Sequence, residues 1–316
     1  KSRGLGDVYK RQLKRSEIFN LINENIQIGI APINWSNDDM HEVGGHYSLD
    51  TILSEMMEAG YKGTEIGNKF PSTSLAIKKE LEKYDLALAS SWHSTFFLTK
   101  NLDSEIENIK KKCALLSEAG ANIINVAECS HSIHSEINIE LDSKPICDDQ
   151  KYDILSNSLN KAGEVCKAHG VDLAFHHHVG TYIQNENEIE MLLSKTDPNF
   201  VHLCADTGHL LFAGVNPVEF FQKHINRIKH IHFKDIRADI LKNTNLKKES
   251  FLRLVLKGIF TVPGDGCIDF ITIGNNLKNS GYKGWIIVEA EQDPERANPL
   301  EYALLSKKYL DKIWSD

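Results

Sequence analysis

Several things are missing from this chain of 316 residues, and each absence narrows what it can be. There is no CxxC pair: the six cysteines, at 113, 129, 147, 166, 204 and 267, lie far apart. That is the usage of a reducing cytoplasm rather than of a disulfide framework. No apolar run reaches the roughly 18 residues needed to span a bilayer, so no membrane partner is expected. The net charge is −8 and no basic patch interrupts the body of the chain, which argues against nucleic acid. No GxGxxG follows the first strand pattern, which counts against a dinucleotide-binding domain. No phosphate loop is present either, which counts against a phosphorylated substrate.

What is present suits a large core: 41% of residues are apolar and 25% charged. The first fifteen residues, KSRGLGDVYKRQLKR, stand apart, with six Lys or Arg against one Asp and no apolar segment. They are not a secretory signal. A transit peptide would fit them less well than a foreign leader. Residues 1–25 are therefore expected to be a non-native or disordered leader with the N-terminal segment, and 26–316 a single domain.

From residue 26 a unit recurs, in which an amphipathic run ends in Gly and a short apolar strand follows. SEMMEAG leads to YKGTEIGN, LLSEAG to ANIINVAEC, CKAHG to VDLAFHHHV, and LKNSG to YKGWIIVEAE. A Gly just past the last helical turn is a left-handed cap, and near-continuous apolar strands are those of a parallel sheet buried on both faces. With IQIGIAPIN, LALASSWHS, VHLCADTGH and IKHIHFKDI there are eight strands, beginning near 26, 61, 86, 122, 171, 201, 228 and 284. Eight strands alternating with helices predict one (β/α)8 barrel. Two long connections, 130–149 and 237–268, fall on the side where barrels build active sites and are expected to form lids or walls.

Polar residues collect at the C-terminal ends of these strands, where a barrel gathers its catalytic groups. His176, Asp206, His232 and Glu289 sit late on strands five to eight. Two imidazoles and two carboxylates suit a divalent transition ion such as Mn²⁺, Co²⁺ or Zn²⁺. Strand alternation puts His230, His232 and Lys234 on one face, and Glu289 with Glu291 on one face, with Glu289 the deeper of the two. His176 and His178 share a face, while His177 points to the helix layer. His178, His209, Lys234 and Glu65 are the proton-transfer candidates, and His178 and His209 are favoured among them. Asn34, Trp35, Asn68, Trp92 and His93 are expected to line a binding site for a hydroxylated small molecule.

The stretches GIAPINWSNDDM, GTEIGNKFP, FHHHVGT, ADTGHLLFAG, HFKD, VPGDG and VEAEQDP cover nearly all of the chain after residue 26. In this order they resemble the xylose-isomerase-like superfamily of metal-dependent sugar isomerases and epimerases, and most closely its branch that dehydrates 2-keto-myo-inositol in inositol catabolism. The resemblance implies a hydro-lyase acting on a polyol ketone and yielding a trihydroxycyclohexane-1,2-dione. It also implies Mn²⁺ or Co²⁺ as the metal and a glutathione requirement, for which no site is legible. A homo-oligomer is left open. Sugar isomerases and epimerases of this superfamily carry a Glu on strand five where this chain has His176, which favours one-way elimination over paired-Glu epimerisation. An isomerase or epimerase acting on a ketose or inosose is the alternative. The DNA-repair branch, with three zinc ions and a basic surface, is disfavoured by the acidic balance.

Overall fold

The computed structural model describes residues 26–315; the expectation for residues 1–25 lies outside the described residues. The barrel strands are β1 (Ile26–Ile30), β2 (Gly63–Ile66), β3 (Ala87–Thr95), β4 (Ile123–Glu128), β5 (Asp172–His176), β6 (Val201–Asp206), β7 (Ile228–Phe233) and β8 (Gly284–Val288). Their starts fall within two residues of those read from the sequence. All seven pairings are parallel, in the order β1-β8-β7-β6-β5-β4-β3-β2. The ring is drawn together between β1 and β2 by a bond from the Lys62 amide to Ile28 O at 3.1 Å and one from Thr64 Oγ1 to Ile30 O at 2.8 Å.

The helices close as the recurring unit requires. Gly60, Gly120, Gly170 and Gly281 all have positive φ, and at Gly120 and Gly281 the left-handed residue is the cap itself. Alternation then sorts the side chains. Leu173, Phe175, Leu203, Ile231, Phe233, Ile286 and Val288 pack outward with Ile52, Ile109, Leu116, Leu155 and Leu159 of the helix layer. The inward set is smaller. Ala31, Ala89, Trp285 and Ile287 form one apolar group and Ile123, Ala174 and Cys204 another. Above them the interior turns polar.

The two long connections meet over the C-terminal side of the barrel. The Leu141 amide donates to Glu249 O at 2.9 Å, Ser250 Oγ to Ile137 O at 2.7 Å, and Arg253 to Asn138 Oδ1 at 2.9 Å. Ile133 and Leu141 join Phe251, Leu254, Val255 and Phe260 in a second apolar cluster, which also takes in Val179 and Phe212. The second connection carries its own antiparallel ribbon, Asp235–Ile236 against Phe260–Thr261. Asp235 anchors it by accepting from the amides of Gly266, Cys267 and Ile268 at 2.9–3.0 Å. The connections are therefore packed walls. Among the described residues no helix is long and apolar enough to cross a membrane.

Close approach inside the barrel leaves no room at Gly63, where a Cβ would lie 2.4 Å from the Trp285 ring and 2.8 Å from Ala87 O. Gly63→Ala is expected to destabilise the fold by about 1–3 kcal/mol, the usual cost of overpacking. Denaturant unfolding checks this, and a midpoint equal to that of the unmodified chain would contradict it.

Candidate active site

Four donor atoms meet where β5 to β8 end. His176 Nε2 lies 3.2 Å from His232 Nδ1 and 3.7 Å from Asp206 Oδ2. His232 Nδ1 lies 3.6 Å from Asp206 Oδ2 and 2.8 Å from Glu289 Oε2. Ligands that bind one ion at about 2.0–2.2 Å stand roughly 3–3.6 Å apart, so the spacing fits a shared divalent cation. A second observation agrees. Asp206 Oδ2 is buried with no hydrogen-bond partner, and its one ammonium neighbour, Lys234 Nζ, stands off at 3.4 Å, which leaves the oxygen able to meet a second cation.

The local sequence explains why that oxygen is free. In ADTGH the strand ends at Asp206, which caps the short helix Thr207–Phe212 by accepting from the His209 amide through Oδ1 at 2.9 Å. Oδ2 is left to point at the histidines. The next residue but one is Gly208, where a Cβ would come within 2.6 Å of Lys234 Cγ. The small residue lets Lys234 run beneath the helix to its charge partners. The Asp206 amide in turn donates to His177 Nε2 at 3.3 Å, with His177 turned outward onto Phe220.

Lys234 is fully buried. Its Nζ lies 2.6 Å from Glu289 Oε1, 3.2 Å from Glu291 Oε2 and 3.4 Å from Asp206 Oδ2, and it donates to His209 Nε2 at 3.1 Å. Burial alone would lower its pKa, but the Asp206, Glu289 and Glu291 carboxylates outweigh that and raise it. Burial would likewise push Asp206 up, but Lys234 above all holds it well below the usual carboxylate range. Glu291 is pushed up to about 7, by burial first and by the Glu289 charge among the rest. His178 and His209 pack with ring centroids 3.9 Å apart and planes tilted by 47°, and burial keeps both well below the ordinary histidine pKa. Phe251 covers both rings at 5.1 and 5.7 Å.

The cavity above the donors has a volume of about 270 Å³ and is lined by His176, His178, His232, Glu65, Glu289, Glu291, Trp92, Ser94, His134, Asp38 and Asp39 among others. That is room for a small molecule. His178 Nδ1 lies 2.8 Å from Val179 O, a contact that makes Nδ1 the donor and leaves Nε2 with its lone pair. Trp92 is the one residue of the expected binding set on the lining.

The other four expected binding residues are placed elsewhere. His93 follows Trp92 on β3 and so faces the helices, its pKa held down to about 4 by burial and by Lys112. Trp35 is wholly buried, the chain having turned out of the barrel through the turn Pro32–Asn34, and its indole donates to Glu55 Oε2 at 2.5 Å. Asn34 donates to Ala31 O at 2.7 Å, and Asn68 to Asn37 O at 3.0 Å, so both tie loops together. His209 and Lys234 stand behind the lining. Glu65 touches the cavity but is engaged by His230 and His232. Sequence reasoning passed over Asp38, Asp39, Ser94 and His134. The paired acids in NWSNDDM were one available signal.

The family model for the xylose isomerase-like TIM barrel matches residues 53–312, and the chain belongs to that family. Within it, the chain is 44% identical over 290 residues to the inosose dehydratase of Clostridium tetani, covering 92% of this chain and 97% of that protein. It is also 44% identical over 291 residues to the inosose dehydratase of Clostridium beijerinckii, covering 92% and 98%. Among solved structures, that of the IOLI protein with a binding zinc atom superimposes with a TM-score of 0.66 at 15% identity, covering 92% of this chain and 98% of that one. At that identity the likeness is one of fold.

Lys234→Met removes the one cation shared by three buried carboxylates. An uncompensated buried charge costs about 3–5 kcal/mol, and a loss of that order is expected in denaturant unfolding of metal-stripped protein. Stability equal to the unmodified chain would show that the carboxylates are neutralised in another way.

Proposed function

We propose that this chain is a metal-dependent hydro-lyase that removes water from 2-keto-myo-inositol (scyllo-inosose) to give a trihydroxycyclohexane-1,2-dione. The observation that carries the reading is Asp206 Oδ2, buried without a hydrogen bond and set against His176, His232 and Glu289, which themselves line the cavity. The near full-length similarity to inosose dehydratases supplies the substrate. The metal is read as Mn²⁺ or Co²⁺, held by His176, Asp206, His232 and Glu289; the mixed nitrogen and oxygen donors suit such ions. A bound divalent ion supplies the positive charge that stabilises an enolate at the substrate ketone.

The chain's own groups then divide the proton work. His178 presents a bare Nε2 on the cavity wall, because Nδ1 is committed to Val179 O, and it takes the proton beside the ketone. His209 is the less suitable partner, since its Nε2 accepts from Lys234 and the ring stands behind His178. Glu291 lines the cavity beside Glu289, with Lys234 Nζ at 3.2 Å, and is placed to give a proton to the departing hydroxide. Lys234 acts through its charge, keeping Asp206 and Glu289 ionised. Trp92 closes one side of the pocket with an apolar face, and the Phe251 wall keeps water from the histidines. His176, standing where paired-Glu relatives carry the second carboxylate, favours elimination over epimerisation.

Incubation with inosose and Mn²⁺ or Co²⁺ is expected to give the ultraviolet absorbance of an unsaturated dione and a product one water lighter. An unchanged mass with altered stereochemistry would establish the epimerase reading instead. Asp206→Ala is expected to lose metal and activity together; full metal content by elemental analysis would remove Asp206 from the ligand set. His178→Ala is expected to keep its metal and lose roughly 10²–10⁴-fold in turnover. A rate near that of the unmodified enzyme would exclude His178 from proton transfer.

A further inference from the structure

Below the four donors, the barrel interior holds a buried polar layer drawn from β2, β3, β4 and β7: Glu65, Ser90, Asn125 and His230. It converges on a single atom. Glu65 Oε1 accepts from the Ser90 hydroxyl, from Asn125 Nδ2 at 2.9 Å, from His230 Nε2 at 2.8 Å and from His232 Nε2 at 3.2 Å. Donors from three other strands leave the carboxylate one place to sit, and that place is directly against the His232 ring.

We propose that Glu65 is a positioning residue, holding His232 by Nε2 so that Nδ1 is the nitrogen presented to the metal. The proposal rests on the reading of His176, Asp206, His232 and Glu289 as ligands. An imidazole that coordinates an ion through one nitrogen carries its proton on the other, and the bond made there decides which is which. A carboxyl oxygen already taking three other donors has no proton to give, so the His232 side of the contact supplies the N–H. With a metal bound in place of its proton, Nδ1 would then be the coordinating nitrogen, and it is the one that stands 2.8 Å from Glu289 Oε2, 3.2 Å from His176 Nε2 and 3.6 Å from Asp206 Oδ2. The reverse ring orientation would turn the lone pair into the Glu65 network and leave the cluster one ligand short. Glu65 thus acts through His232 rather than on the substrate.

Two measurements test this, neither of them activity alone. In Zn²⁺-loaded unmodified protein labelled with ¹⁵N-histidine, the His232 signal, assigned by its loss in His232→Gln, is expected to show Nε2 protonated and Nδ1 coordinated. The opposite tautomer overturns the proposal without any change at Glu65. In calorimetric titration with Mn²⁺, Glu65→Ala is expected to weaken binding about 10–100-fold, the usual effect of removing a ligand's orienting partner. Glu65→Gln, which keeps one acceptor oxygen in the same shape, is expected to weaken it less and to recover kcat at saturating Mn²⁺. Unmodified affinity in both variants with kcat lost would make Glu65 a group acting on substrate and overturn the proposal. Failure of the underlying ligand assignment looks different, because the unmodified protein itself would then bind no stoichiometric Mn²⁺.

Discussion

One ammonium group balances the charge at the end of the barrel. Lys234 Nζ lies within 3.4 Å of carboxylate oxygens of Asp206, Glu289 and Glu291, and all four side chains are buried. Three carboxylates this close would repel one another, and burial would drive them to hold protons. The lysine, with His232 at Glu289, lets Asp206 and Glu289 stay ionised in a buried site, the state in which they can hold a cation. Much of the surrounding structure serves to place it. Gly208 clears its path, Asp206 begins the helix that runs over it, and the Phe260 ring lies 5.0 Å from its charge.

The two long connections clasp each other and bury a second apolar cluster beside the barrel mouth. That cluster has a chemical consequence. With Phe251 against both rings, His178 and His209 lose solvation and are held neutral. A neutral imidazole whose Nδ1 is committed to a backbone carbonyl can only accept at Nε2. The walls therefore keep a histidine neutral with an acceptor nitrogen at the pocket, besides shaping it. The deeper Glu65 layer has a different task, since its contacts run to His230 and His232 rather than to the helices or the loops.

The barrel was legible because two periodicities reinforce each other. Helical runs ending in Gly mark one half of each unit and apolar strands mark the other, so eight starting points could be counted. The set His176, Asp206, His232 and Glu289 was legible for the same reason: strand alternation and position at the C-terminal end are both local properties. His93 shows where that logic was not followed through, since alternation alone should have opposed it to Trp92. Trp35 and Asn34 show a different limit. They lie just past the end of β1, and the direction in which a chain leaves a strand depends on what the Pro32–Asn34 turn packs against.

The sequence alone determined the strand count, the parallel order, the faces on which the histidines and carboxylates lie, and the separation of His177 from its neighbours, because each follows from spacing along one strand. Only the tertiary structure decided which of those groups touch. Asp38 and Asp39 reach the cavity from one loop and His134 from another, and Glu65 meets His232 across a separation of 167 residues. Lys234 finds its three carboxylates at the end of β6 and just past the end of β8. Such contacts depend on barrel closure and loop packing, which no local pattern encodes.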